Sequence, residues 1–244
     1  MKTHTNIAFL GILFFTILYI SYNYNFRGEF DKIFVSLATF LFTIFTGFFI
    51  SNQTQRYGKI RDALSQYDGK MSGIYRASMN FGVDGQSKIG LIISNYYKRI
   101  IETGSWDYHF YNKSSTITDL HITSAEAVLS KEKLTEIDKQ SNARISSALM
   151  DLQVLRKQLI VLREERIPSF QWFLIVLFGL TLITTVLFIP SKNFFIGSLL
   201  KSSFLVSILS VIMILRNFDN LQFFEGRVGE HSAEDVLGII NGGR

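Results

Sequence analysis

The sequence predicts an all-α membrane protein: four transmembrane helices, with a cytoplasmic helical bundle inserted between spans two and three. Three observations predict it. Four apolar stretches, 7–24, 34–51, 170–189 and 194–215, each come close to the roughly 20 residues that a spanning helix needs. Charged residues reach only 18% and hydrophobic residues 48%, with 23 Phe, whereas a soluble domain carries roughly 25% charge. Between the second and third stretches lies a long polar insert whose apolar residues keep helical spacing. The chain accordingly divides into 1–51 (spans one and two), 52–168 (the bundle), 169–216 (spans three and four) and 217–244 (a cytoplasmic C-terminal segment).

The first stretch has Gly11 as its only helix-weakening residue. It is too long and too aromatic for a cleaved signal, and no small-residue cleavage site follows Tyr22-Asn23-Tyr24. It reads as a permanent span. The second stretch carries no charge between Lys32 and Arg56. No Pro follows it, and Ile60, Leu64, Tyr67, Met71, Ile74 and Tyr75 keep an apolar helical stripe. The helix is therefore expected to run on through Arg56 to about Phe81, with Gly58, Gly69 and Gly73 as its weak points.

Gly82 and Gly85 around Asp84 predict the first break. A helix over about 87–103 follows, with Ile89, Ile92, Ile93, Tyr96 and Ile100 on one face. The polar, aromatic segment 104–120 reads as a loop, and Thr123 with Glu126 as a capping-box start. From Leu134 the spacing becomes a heptad seam: Leu134, Ile137, Ser141, Ile145, Ala148, Leu152, Leu155, Leu159 and Leu162. The seam says helix bundle; its partner lies within the chain or in a neighbouring subunit.

Span three opens near Trp172, an interfacial belt position, and closes at Pro190. Span four is interrupted by Lys201, which either snorkels to the interface or serves a pore. Orientation follows from the flanking cations. Lys2, Arg56, Lys59, Arg61, Arg163, Arg166 and Arg216 fall on one side; Arg27, Lys32 and Lys192 fall on the other. The excess places the insert and both termini in the cytoplasm. Two sequons, Asn52-Gln53-Thr54 and Asn112-Lys113-Ser114, then read as chance.

Catalytic chemistry is not written in the chain. The four His are scattered, and none has the acidic or Cys company of a metal site. Acidic residues sit among Lys and Arg, as in Arg163-Glu164-Glu165-Arg166, which suits a solvated helix face. No metal, cofactor or enzymatic activity is expected. No basic and aromatic platform suggests nucleic acid. What remains is the second span. Phe40, Ile44 and Phe48 stand at i, i+4 and i+8, one stripe on a helix. In a bundle core such a stripe is packing. Around an oligomer axis it makes apolar rings, which can gate conduction by dewetting.

Thr43-Ile44-Phe45-Thr46-Gly47-Phe48, with Arg56-Tyr57 eight residues on, resembles the pore-helix signature of bestrophins. Asp68-Gly69-Lys70-Met71-Ser72-Gly73-Ile74-Tyr75-Arg76 is similar to that family's following helix and its Arg. In layout the chain looks still closer to bacterial bestrophin-like membrane proteins. The matching features are Tyr96 to Trp106, Arg163 to Pro168, and Asp219 with Phe223, Phe224 and Gly226. It departs from the pattern in having Tyr57 where the family has Trp, and in lacking the Pro before the Phe-Gly turn. Glu225, Glu230, Glu234 and Asp235 are too spread out to resemble the calcium clasp of animal bestrophins.

The resemblance implies a bacterial inner-membrane protein in the lipid bilayer, a homo-oligomer (a pentamer, as bestrophins are) around a pore for small ions. By position, Phe40, Ile44 and Phe48 become the hydrophobic neck, and Gly47, Arg56, Tyr57 and Arg76 belong to the motif and the cytoplasmic vestibule. Two functions from different classes follow: an oligomeric ion channel, or a non-conducting membrane scaffold or sensor whose bundle binds a protein partner.

Overall fold

A computed structural model of the chain describes residues 2–23, 32–112, 114–131, 133–190, 194–222 and 228–242. Among them there are helices and connecting turns, and no strand. In chain order the helices are α1 (Lys2–Asn23), α2 (Lys32–Ala77), α3 (Gly82–Thr103), α4 (Tyr108–Tyr111), α5 (Thr116–Leu129), α6 (Glu136–Glu164), α7 (Ser169–Phe188), α8 (Phe194–Asp219) and α9 (Val228–Ile240). Three of them, α2, α7 and α8, contain segments long and apolar enough to cross a membrane. The first expected span, 7–24, coincides with α1 as far as Asn23.

The chain folds as two units, Met1–Thr54 with Arg166–Asn220, and Gln55–Glu165 with Leu221–Arg244. In the first, α1 and α7 both pack against α8. Its core comes in two clusters, Ala38, Phe42, Leu182 and Ile208, then Phe49, Ile167, Ile175 and Leu215. Gly179 lets α7 approach closely: a Cβ there would sit 3.0 Å from the Ile212 Cδ1 atom. Hydroxyls in these helices bond back to their own helix, Thr46 to the Phe42 carbonyl at 2.7 Å and Ser202 to that of Ser198 at 2.8 Å. Such bonds satisfy a polar group that hydrocarbon cannot.

Lys201 points its ammonium at the Leu187 carbonyl, 3.1 Å away, in the last turn of α7. That carbonyl is among those a helix end leaves without an intrahelical donor. In the structure Lys201 thus caps the end of the neighbouring helix.

In the second unit one large core draws on α2, α3, α5, α6 and α9, with Ile60, Tyr67, Met71, Ile89, Ile93, Leu120, Leu152 and Leu159 buried in it. Helix α2 runs without a break through Arg56 to Ala77, and a 3-10 turn over Ser78–Phe81 completes the expected reach. Gly82 then turns the chain at φ +89°, a conformation that a side chain strains. α3 begins there, five residues earlier than the apolar pattern alone indicates.

The heptad seam holds from Ser141 to Leu162 and packs within the chain, with Leu149 buried and Ala148 only partly so. Its first two members do not join the core: Ile137 is 62% exposed and Leu134 41%. Asp138 is buried instead, because α6 starts there with a capping box. The Thr135 hydroxyl accepts from the Asp138 N–H at 3.2 Å, and the Asp138 carboxylate accepts from the Thr135 N–H at 2.9 Å. The box expected at Thr123 and Glu126 is absent, since α5 already begins at Thr116 and both residues lie inside it. The segment 104–120, read as a loop, contains α4 and the first turn of α5.

Candidate functional site

Helix α2 has two unlike faces along its apolar part. Ala38, Phe42, Thr46 and Phe49 are buried against the rest of the first unit. On the other face Phe40 is 61% exposed, Ile44 50% and Phe48 58%. Their i, i+4 spacing keeps them in line, and none of the three is buried in the core of the first unit. Gly47 lies beside Phe48 on this face, with nothing within 4 Å of where a Cβ would stand. The exposed face continues down the same helix through Ser51, Asn52, Gln55 and Lys59 to Arg76. It thus passes from aromatic and branched side chains to polar ones.

The other motif residues take separate places. Arg56 is 4% exposed. Its Nε and Nη2 donate to the carbonyls of Leu162 and Arg163, both at 2.6 Å. These are end carbonyls of α6, and a guanidinium there satisfies orphan acceptors while opposing the negative end of the helix dipole. Arg163 in turn pairs with Asp107 at 2.7 Å, and Asp107 accepts from the Ser105 hydroxyl at 2.5 Å. Tyr57 is half-buried against the bundle core, and Trp106 is buried within it. Arg76 is exposed in the last turn of α2, apart from these. The structure therefore brings Arg56 to the Arg163 region and leaves Arg76 outside that network.

Asp219, the last residue of α8, is buried and does two jobs. It accepts the Ile167 N–H at 2.8 Å and the Trp172 indole N–H at 3.2 Å. It thus fastens the start of α7, where Pro168 has no N–H to offer. Phe223, Phe224 and Gly226, expected to complete this motif, lie outside the described residues.

One cluster escaped the sequence. Asp68 on α2 is largely buried; it accepts from the Tyr97 hydroxyl at 2.5 Å and from the Ser232 hydroxyl on α9. Burial pushes its carboxyl above the ordinary range, against the pull of those two hydrogen bonds. Burial also raises Tyr67 to about 12, and Tyr96 and Tyr97 well above their usual value. Tyr67 stacks on Tyr96 at 5.8 Å, and Tyr96 on His109 at 4.0 Å. The His109 Nε2 donates to the Tyr96 carbonyl at 2.8 Å, yet burial still lowers its pKa. The partners of Asp68 lie far along the chain, which no local spacing reveals. The only local signal was the Asp68-Gly69 step in a helix whose neighbours Tyr67 and Met71 are core.

Among the described residues no group of three or more His, Asp or Glu is placed to hold a metal. No curated protein and no solved structure matches the chain. A family model, the Bestrophin-like domain, matches residues 23–226. That match takes in α2 through α8, the apolar helices and the α2 face described above. This chain belongs to the Bestrophin-like family and is a membrane protein.

Proposed function

We propose that the chain is one subunit of a homo-oligomeric ion channel in a bacterial inner membrane. In this reading α1 is a fourth span, and both termini and the helical bundle are cytoplasmic. α2 of each copy turns Phe40, Ile44 and Phe48 toward a common axis. The observation that carries it is the sidedness of α2: one apolar face buried in the subunit, the other exposed and merging into a polar stripe along one unbroken helix. A ring of such side chains excludes water, and an ion crossing it must shed hydration. Below the neck the exposed polar face of α2, ending at Arg76, suits a wetted vestibule. Arg56 and Tyr57 hold the frame of that vestibule rather than its surface. Five copies is the stoichiometry that the family likeness supports.

A second reading, a non-conducting scaffold or sensor whose bundle binds a protein, is favoured by Met150, Val154 and Val161, exposed in line on α6.

The chain has no Cys, so single-Cys variants report one position each. Ile44→Cys in proteoliposomes should lose ion flux on treatment with a charged thiol reagent. Phe173→Cys, exposed on α7, should not. Equal insensitivity of both, with labelling of Ile44→Cys confirmed by mass, counts against the pore.

A further inference from the structure

The bundle contains a largely buried carboxyl group, Asp68, without a cationic partner. Among the described residues no Lys, Arg or His makes an ion pair with Asp68; its carboxylate meets only the hydroxyls of Tyr97 and Ser232. Arg156 acts on the neighbouring Tyr67 and Tyr96. Buried carboxylates elsewhere are paired, hold a cation or give up their charge. Beside Asp68 lies a cavity of about 20 Å³, space for a particle the size of one water molecule. Its wall is Tyr67, Tyr96, Tyr97 and Trp106 with the aliphatic Leu64 and Ile100, and Ser232 lines it from α9.

Aromatic rings are poor company for an anion and good company for a cation, because the ring face carries negative charge density. Two hydroxyl oxygens and a carboxylate add hard donors of the kind that replace a hydration shell. The volume excludes methylated ammonium ions. The combination of a carboxylate, hydroxyls and an aromatic wall around one water-sized space is that of a small-cation site.

We infer that the cavity beside Asp68 binds a single dehydrated monovalent cation, potassium or ammonium, between α2, α3 and the C-terminal helix α9. Occupancy neutralises Asp68 and fastens Ser232, and with it α9, to the body of the bundle. The site lies apart from the α2 neck and does not depend on the chain conducting.

The test uses the full chain in detergent at constant ionic strength and pH 7.5. N-methyl-D-glucamine chloride is exchanged for potassium, ammonium or tetramethylammonium chloride, and thermal midpoint and tryptophan emission are followed. A ligand bound only by the folded state raises the midpoint by mass action. Potassium or ammonium should raise it by at least about 2 °C and shift the Trp106 emission, with tetramethylammonium inert. Asp68→Asn should abolish both responses. Ser232→Ala, which keeps the carboxylate, should weaken the apparent affinity several-fold and deprotect the α9 amides to hydrogen exchange. Potassium and ammonium behaving like N-methyl-D-glucamine would mean that the cavity holds water alone. A cation response that persists in Asp68→Asn, or one whose apparent affinity is unchanged in Ser232→Ala should the Asn variant not fold, would place the ion elsewhere. Either outcome overturns the site.

Discussion

The two units satisfy their polar groups in different ways. In the apolar unit most hydroxyls bond within their own helix, as in Thr39 to Val35, Thr185 to Thr181 and Ser210 to Val206. In the bundle some hydroxyls do the same, as in Thr103 to Arg99, but further polar bonds tie distant elements together: Arg56 to the end of α6, Asp68 to α3 and α9, Asn80 to Ser141, and Tyr75 to the Ile240 carbonyl. A hydroxyl bonded to its own helix says nothing about which helix lies beside it. Shape must then choose partners in the apolar unit, through places such as Gly179. In the bundle, polar geometry helps to fix the arrangement. Asp219 and Lys201 are exceptions in the apolar unit, each bonding across from α8 to an end of α7.

Breaking that contrast should give graded effects. The largest is expected in the bundle core. Leu159→Ala removes a fully buried side chain and should cost about 2–5 kcal/mol, read as a lower thermal midpoint. Arg56→Ala should be comparable, since it leaves two α6 carbonyls without their donor in a buried place, at about 1–3 kcal/mol for each orphaned group. Arg56→Lys should recover only part of this, because a single ammonium lacks the two-pronged geometry of the guanidinium. Thr185→Ala, within the apolar unit, should cost under about 1 kcal/mol, as it removes a hydroxyl and its only acceptor remains bonded along the helix.

Acidity sharpens the same comparison, because the groups shifted in the bundle differ in sign. His109 sits below its ordinary 6.5 through burial. The folded chain therefore binds that proton less readily than the unfolded chain, and stability is lost as pH falls through 6.5 toward the folded value. Asp138 is held down to about 2, chiefly by Lys131 and the Thr135 cap. Its contribution is complete above 3.8 and disappears as pH falls from there to about 2. Asp68 runs the other way: burial raises its pKa, so a cost is relieved as pH falls through that raised value toward 3.8. Between pH 7 and 5 the thermal midpoint should fall, and His109→Gln should flatten that slope.

Much of the architecture was legible because it is written in periodicity. The unbroken α2, the three apolar helices and the seam from Ser141 to Leu162 follow from spacing alone. What local spacing missed was decided by contacts between distant residues. Ile137 yields its place to Asp138 because Lys131 bonds that carboxylate at 2.5 Å. α5 starts before its expected cap because Ile117 and Leu120 find the core. The α2 stripe was visible as a pattern, but only the fold shows that the described residues of the chain leave it exposed. The partners of Asp68 had no pattern at all, since Tyr97 and Ser232 come from other helices.

The central claim is that the uncovered face of α2 lines a conducting neck, and the triple variant Phe40→Ala, Ile44→Ala, Phe48→Ala tests it most directly. Ion flux into reconstituted liposomes and thermal midpoint should be measured on the same preparation. Side chains that face a lumen leave no core cavity when shortened, so the midpoint should change little while flux rises as the neck widens and wets. A midpoint that drops by the cost of three core truncations, with flux unchanged, would contradict the channel and favour the scaffold.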